Sequence, residues 1–349
     1  MTTARVLIVD DSALSRQILR RGLQEDPQIE VLAVASDPLK AASLIKKYNP
    51  NVLTLDVEMP GMNGIEFLKR LMASHPLPVV MVSSQTEKNS RITLEALALG
   101  AVDFILKPHK NIRNGLNLMM AELREKVKWA ARSRISPPIK KNPKSTINTI
   151  EPKRSLTRTD HVIAVGASTG GIMAIRRLLC ALPAESPGVL IVQHLPPPFT
   201  SMFARRLDEQ CEIRVKEART GARVEPGLAL IAPGDYHMQL VRFGLEYRVI
   251  CRKGAPVNGH RPSVDVLFRS VARHAGARAI GVLLTGMGND GAEALLQMRR
   301  AGARTVAQDR KSSVVFGMPR EAFARGGAER LADINQIPEI INAYLNGTL

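Results

Sequence analysis

Two groups of side chains in this chain have the types and spacing to do chemistry. The first is acidic with a single lysine. Asp10 and Asp11 follow the aliphatic run Val6–Val9, Asp56 follows Val52–Leu55, and Lys107 follows Phe104–Leu106. Moving a phosphoryl group onto a carboxylate brings two anions together, so a cation must bridge them and neutralise the charge developing on the equatorial oxygens. Mg²⁺ suits that task because it takes oxygen ligands and keeps several waters. Asp10, Asp11 and Asp56 offer carboxylates, the Glu58 carbonyl a further oxygen, and Lys107 a fixed positive charge. Ser83, after the run Val79–Val82, supplies a hydroxyl, and Phe104 is placed to change rotamer as that hydroxyl moves.

The second group centres on Ser168 in Gly166-Ala167-Ser168-Thr169-Gly170-Gly171, directly after the strand-like run Val162–Val165. Small residues on both sides permit a sharp strand-to-helix turn that exposes a nucleophilic hydroxyl. The helix that follows brings amide hydrogens to a developing oxyanion. Taken alone, such a turn serves phosphate binding or tight packing as readily. Two later strand ends add what a nucleophile needs. Val189–Gln193 delivers His194 as a base, and Ala279–Leu284 leads through Thr285-Gly286-Met287-Gly288-Asn289 to Asp290, which would orient the imidazole and stabilise its charge. The order Ser, His, Asp departs from that of lipases and esterases, where the acid precedes the histidine. His237 and His260 stand outside these motifs and are read as loop residues.

The elements that must position these groups are short strands alternating with amphipathic helices. Runs at Val6–Val9, Val31–Ala35, Val52–Leu55, Val79–Val82 and Phe104–Leu106, separated by helical patterns, predict a flavodoxin-like (βα)5 unit, its last helix near Ile112–Trp129. Further strands are expected at Val162–Val165, Val189–Val192, Ala229–Ala232, Ala279–Leu284 and Thr305–Ala307. Helices are expected at Ile172–Leu182, Ser263–His274 and Gly291–Ala301, with a hairpin within Gln239–Cys251. These predict a second doubly wound, mostly parallel α/β domain. Between the two lies a stretch rich in proline and basic residues, giving domains at 1–130 and 160–349 and a linker at 131–159.

Net charge is +17, and residues 125–160 hold ten basic against three acidic groups. That excess fits a solvated tether, while leaving nucleic acid, anionic lipid or an acidic protein as partners to weigh. The three cysteines, Cys180, Cys211 and Cys251, are far apart in sequence, which argues against a disulfide framework or a zinc site and fits a reducing cytoplasm. No run reaches the roughly 20 apolar residues of a membrane span, and the first strand begins too early for a signal peptide.

With these pieces in place, residues 4–125 resemble the receiver domain of two-component response regulators. The match lies in Leu7-Ile8-Val9-Asp10-Asp11-Ser12, Leu55-Asp56-Val57-Glu58-Met59-Pro60-Gly61-Met62-Asn63-Gly64 and Lys107-Pro108. Residues 159–346 resemble the catalytic domain of the bacterial chemotaxis protein-glutamate methylesterase family, through the Ser168 and Asp290 motifs, Val192-Gln193-His194 and Ala232-Pro233-Gly234-Asp235-Tyr236-His237-Met238. The resemblance implies a cytoplasmic esterase activated when a histidine kinase phosphorylates Asp56, with Mg²⁺ in the receiver and no cofactor in the catalytic domain. Its substrates would be methylated glutamates on chemoreceptor helices, releasing methanol, and often glutamines as well. Met287 N–H, and less directly Thr169 N–H, would hold the oxyanion. Regulation would be steric, the unphosphorylated receiver covering the cleft. Other readings are the same hydrolase in a non-chemotaxis signalling complex, a DNA-binding response regulator, which needs a reading helix this sequence does not offer, and a silent adaptor.

Overall fold

The structure, a computed structural model, describes residues 3–59, 64–84, 86–108, 112–133 and 160–349. The chain divides into two compact units, Met1–Ile139 and Lys140–Leu349.

The first unit runs β1 (Ala4–Val9), α1 (Ala13–Gln24), β2 (Ile29–Ala35), α2 (Pro38–Tyr48), β3 (Val52–Asp56), α3 (Gly64–Ser74), β4 (Val79–Ser83), α4 (Glu87–Ala98), β5 (Asp103–Leu106) and α5 (Ile112–Ala130). Its sheet is parallel with strand order β2-β1-β3-β4-β5. Every residue of β3 and β4 is buried, which explains their unbroken apolar runs: helices cover both faces, so no alternation is needed. Local chemistry sets the helix starts. Ser12 accepts from Ser15 N–H to open α1, and Asp37 accepts from Lys40 N–H with Pro38 in the first turn of α2. The chain steps from β1 outward to β2 and then back to β3 on the other side. That reversal opens a crevice beyond the carboxyl ends of β1 and β3.

The second unit runs β6 (Val162–Ala167), α6 (Gly171–Leu179), β7 (Gly188–Gln193), α7 (Phe199–Asp208), β8 (Arg214–Glu217), β9 (Leu228–Ile231), β10 (His237–Phe243), β11 (Glu246–Arg252), α8 (Val264–His274), β12 (Ala279–Leu283), α9 (Ala292–Arg300), β13 (Arg304–Gln308), α10 (Met318–Ala324), β14 (Arg330–Ala332) and α11 (Ile337–Asn346). Seven strands form a sheet in the order β14-β13-β12-β6-β7-β9-β8, each neighbouring pair parallel. The antiparallel hairpin β10–β11 stands apart as a two-stranded ribbon, its inner face (Met238, Leu240, Val249) buried in the core with Leu267, Phe268 and Val271 of α8. β6 has β7 on one side and β12 on the other, so the winding reverses at β6.

All ten strands and the four helices given bounds from the sequence are present, apart from shifts of a few residues at their ends. The sequence reading missed β8, β14, α7, α10 and α11. The missed strands are the edges of the sheet: β8 is Arg-Val-Lys-Glu with only Val215 buried, and β14 has three residues. Short, charged edges guard against pairing with other chains and carry little hydrophobic pattern. Of the expected linker, Ala131 and Ser133 hydrogen-bond back onto the end of α5, and the part from residue 134 lies outside the described residues. So do Pro60, Gly61, Met62 and Asn63. The cysteines are not all distant in space: the thiols of Cys180 and Cys211, at the ends of α6 and α7, lie 2.7 Å apart. Among the described residues no helix is long and apolar enough to cross a membrane.

Candidate active site

In the first unit, the crevice at β1 and β3 holds the acids. Oxygen atoms of Asp10, Asp11 and Asp56 all lie within 4.8 Å of one another, with Asp10 and Asp56 buried and Asp11 exposed. Lys107, at the end of β5, donates from Nζ to Asp56 Oδ2 at 2.8 Å and to Asp10 Oδ2 at 3.2 Å. Asp10 is further fixed by Ser12 N–H at 2.9 Å and Ser15 Oγ at 2.5 Å. Burial pushes the Asp56 carboxyl up to about 6, and Asp10 adds to the rise while Lys107 opposes it. Burial acts to lower Lys107, but the two carboxylates outweigh it and hold its ammonium charged. Three carboxyl groups against one ammonium leave a surplus of negative charge, and the donors are all hard oxygens. That set fits Mg²⁺. Glu58 sits beside it, its N–H 3.4 Å from Asp56 Oδ1. Ser83 is fully buried. Its hydroxyl donates to Ser84 O at 3.2 Å and accepts from Thr93 Oγ1 at 2.9 Å, while Phe104 is tucked inward at 6% exposure.

In the second unit, three adjacent central strands converge. Ser168 follows β6, His194 follows β7 and Asp290 follows β12, so the nucleophile's strand is flanked by those of its two partners. His194 Nδ1 lies 3.1 Å from Ser168 Oγ, and His194 Nε2 lies 2.8 Å from Asp290 Oδ2. The carboxylate is buried, a condition that by itself would raise its pKa. The hydrogen bonds from His194, Asn258 and Val264 N–H outweigh burial and hold it far below the usual carboxylate range. An ionised Asp290 accepts a hydrogen bond from Nε2–H, leaving Nδ1 with a lone pair for the Ser168 hydroxyl.

The backbone at Ser168 is pinned on both sides. Its N–H donates to Thr285 O at 3.0 Å, and its carbonyl accepts from Gly171 N–H at 2.7 Å and Gln193 Nε2 at 2.9 Å. Gly170 has φ +77° and lies against Val314, so the tight turn needs glycine there. Gly286 packs against Ser168: a Cβ at 286 would come within 2.9 Å of the serine's Cβ. Met287, the next residue, is half-buried. Thr169 is buried, and its carbonyl accepts from Thr285 Oγ1 at 3.0 Å.

A family model described as CheB methylesterase matches residues 163–341, and one for the response regulator receiver domain matches residues 6–116. The chain is 52% identical over 346 residues to a protein of Yersinia pseudotuberculosis and 53% identical over 346 residues to one of Salmonella typhimurium. Each match covers 99% of this chain and 98% of the relative, and each relative is named protein-glutamate methylesterase/protein-glutamine glutaminase. The crystal structure of the Thermotoga maritima CheB methylesterase catalytic domain superimposes with a TM-score of 0.51 at 36% identity, covering 52% of this chain and 97% of that one. The chain belongs to the CheB methylesterase family.

The structure brings Ser168, His194 and Asp290, expected from the sequence, into one hydrogen-bonded line, and it gives further groups a place around them. His260 is more than a loop residue: its ring stacks on His194, with centroids 3.7 Å apart and planes 14° from parallel. His237 is not a loop residue: it opens β10, buried, with its ring within hydrogen-bond reach of Ala255 O at 3.0 Å and of Ser263 N–H at 3.3 Å. Asn258, Ser263 and Asp265 surround the Asp290 carboxylate. Asn258 comes from a loop without periodicity, and Ser263 and Asp265 look like an ordinary helix start, so no pattern in the sequence marks them.

Proposed function

We propose that this chain hydrolyses methyl esters of glutamyl side chains on chemoreceptors, releasing methanol, that it deamidates receptor glutamines by the same route, and that phosphorylation of its receiver raises the activity. The observation that carries this reading is the unbroken hydrogen-bond line from Ser168 Oγ through His194 to Asp290, in a member of the CheB methylesterase family. Ser168 Oγ attacks the ester carbonyl while His194 Nδ1 takes its proton, and Asp290 stabilises the imidazolium through Nε2. Nδ1 then gives that proton to the departing methoxide oxygen, releasing methanol, or to the departing amide nitrogen of a glutamine, releasing ammonia. Water enters, loses a proton to Nδ1, and hydrolyses the acyl-enzyme. The N–H groups of Met287 and Thr169 are the donors assigned to the oxyanion, aimed at charge that grows only in the transition state.

Asp56 is the phosphoacceptor in this reading, with a histidine kinase as the phosphodonor. Asp10, Asp11 and Asp56, with the Glu58 carbonyl, would hold Mg²⁺, which would supply the positive charge that phosphoryl transfer onto a carboxylate demands. Lys107 binds the phosphoryl oxygens. Ser83 turns from Ser84 O toward them, and Phe104 repacks beside it. Residues 131–159 serve as a basic tether between receiver and hydrolase, and methylated receptor helices, often acidic, are its natural counter-charge.

The test uses purified protein and receptor membranes carrying labelled methyl esters, with and without a small-molecule phosphodonor. Ser168→Ala should abolish methanol release, and Asp56→Asn should remove only the response to phosphodonor. Release that survives Ser168→Ala overturns the nucleophile, and a response that survives Asp56→Asn overturns the switch.

A further inference from the structure

Asp290 has a second task in this fold. Ser263, the N-cap of α8, makes no capping bond of its own. The capping group comes from elsewhere in the chain. The Asp290 carboxylate accepts from Val264 N–H at 2.7 Å, from Asp265 N–H at 3.2 Å and from Ser263 Oγ at 2.8 Å. The following helix is capped in return. α9 has Gly291 at its N-cap, with no side chain to offer, and Asp265 Oδ1 accepts from Gly291 N–H at 3.0 Å and Ala294 N–H at 3.1 Å. The residue just before α9 caps α8, and a residue in the first turn of α8 caps α9. Orphan amides at both helix starts are satisfied in this exchange.

Two buried carboxylates side by side repel one another. Asn258 stands between them: its Nδ2 donates to Asp290 Oδ1 at 2.8 Å and to Asp265 Oδ2 at 2.9 Å. Among the described residues, the charged or titratable groups that face this pair are Arg269, bonded to Asp265 Oδ2 at 3.1 Å, and His194, with His260 stacked behind it. Asp290 Oδ1 thus collects three donors, while Oδ2 holds Val264 N–H and is the oxygen that meets His194 Nε2. Asn258 sits at φ +52° on the exposed loop between β11 and α8.

We infer that Asn258 and Asp265 are positioning residues for the hydrolysis. Asn258 holds the Asp290 rotamer and keeps the two carboxylates compatible, and Asp265 fixes the turn that carries Asp290 by capping α9. This rests on the Ser168–His194–Asp290 reading above.

The test measures methanol release by the full-length chain across pH in Asn258→Gly, Asn258→Asp, Asp265→Asn and Asp290→Asn. Asn258→Gly keeps the left-handed backbone and removes only the amide. It should lower kcat about tenfold with KM unchanged, the scale of one lost hydrogen bond to a charged group. The acidic limb of its kcat profile should move to higher pH, because an Asp290 with one donor fewer holds the imidazolium proton more tightly. Asn258→Asp, which adds a third anion, should be slower still. Asn258→Gly carries the test if Asp265→Asn fails to fold. Parental kcat in Asn258→Gly, or a loss of kcat with an unmoved acidic limb, overturns the inference. If Asp290→Asn is inactive in that same set, the triad reading stands; if it works at the parental rate, the triad reading itself falls.

Discussion

His194 presents Nδ1 to the nucleophile and Nε2 to the acid, and this orientation fixes what each neighbouring change should do. Asp290→Asn keeps the side chain's shape but removes the charge that selects the Nε2–H tautomer, and its amide group can itself donate toward the ring. Its kcat should fall by roughly 10³–10⁴-fold, as expected when an orienting carboxylate is neutralised in a triad, with a loss of stability alongside, since either carboxylate oxygen replaced by an amide meets a capping donor of α8. Asp56 gives a prediction of the opposite kind. Its carboxyl is raised to about 6 in the folded chain, above the value of an unfolded aspartate, so the native state binds the proton more tightly. Stability therefore falls as pH rises from about 4 through 6, then levels. Asp56→Asn should stabilise the first unit at pH 7.5 by on the order of 1 kcal/mol, a gain that disappears near pH 4 in urea titrations. The residues that could be read from sequence were those that end strands: Asp10, Asp56, Lys107, Ser168, His194 and, one short loop later, Asp290. The stacked ring of His260 and the bridging amide of Asn258 were hidden, because a loop's path follows from packing that no local pattern records.

Among the elements, the turn from β6 into α6 carries the sharpest constraint. A side chain at Gly171 would run into Gln193 Oε1 and Ala167 Cβ, and Gln193 is what holds the Ser168 carbonyl. Gly171→Ala should cost tenfold or more in kcat, the penalty of a misplaced nucleophile, with little change in KM; steady-state kinetics on the folded variant would show it. Within β6 itself, Ile163 is fully buried, and Ile163→Ala should destabilise the second unit by about 2–5 kcal/mol, measured by chemical denaturation. The buried strands were legible because both faces are covered and their runs are continuous. The edge strands were not, since β8 and β14 gain their shape from a neighbour rather than from their own residues. α7 escaped for another reason: it follows three consecutive prolines, Pro196, Pro197 and Pro198, which read as a loop although a helix begins at Phe199.

At the scale of the whole chain, both units place their chemistry by one rule. In each sheet the polar groups gather where the winding reverses, at β1 and β3 in the first and at β6 in the second. The acidic crevice of the first unit gives a prediction of its own. Mg²⁺ should raise the melting temperature of the first unit through binding to the native state alone and lose its effect in Asp11→Asn; calorimetry over a cation titration would resolve this. The hairpin β10–β11 adds a practical corollary. Its root at His237 braces the loop leading to α8, whereas its apex, with Phe243 73% and Leu245 92% exposed, lies seven residues away, roughly 20 Å along an extended strand. A fluorophore or epitope grafted between Gly244 and Leu245 would ride on a stalk whose base touches the loop that carries Asn258 and whose tip residues are largely exposed, making it a convenient reporter of how that loop behaves during turnover.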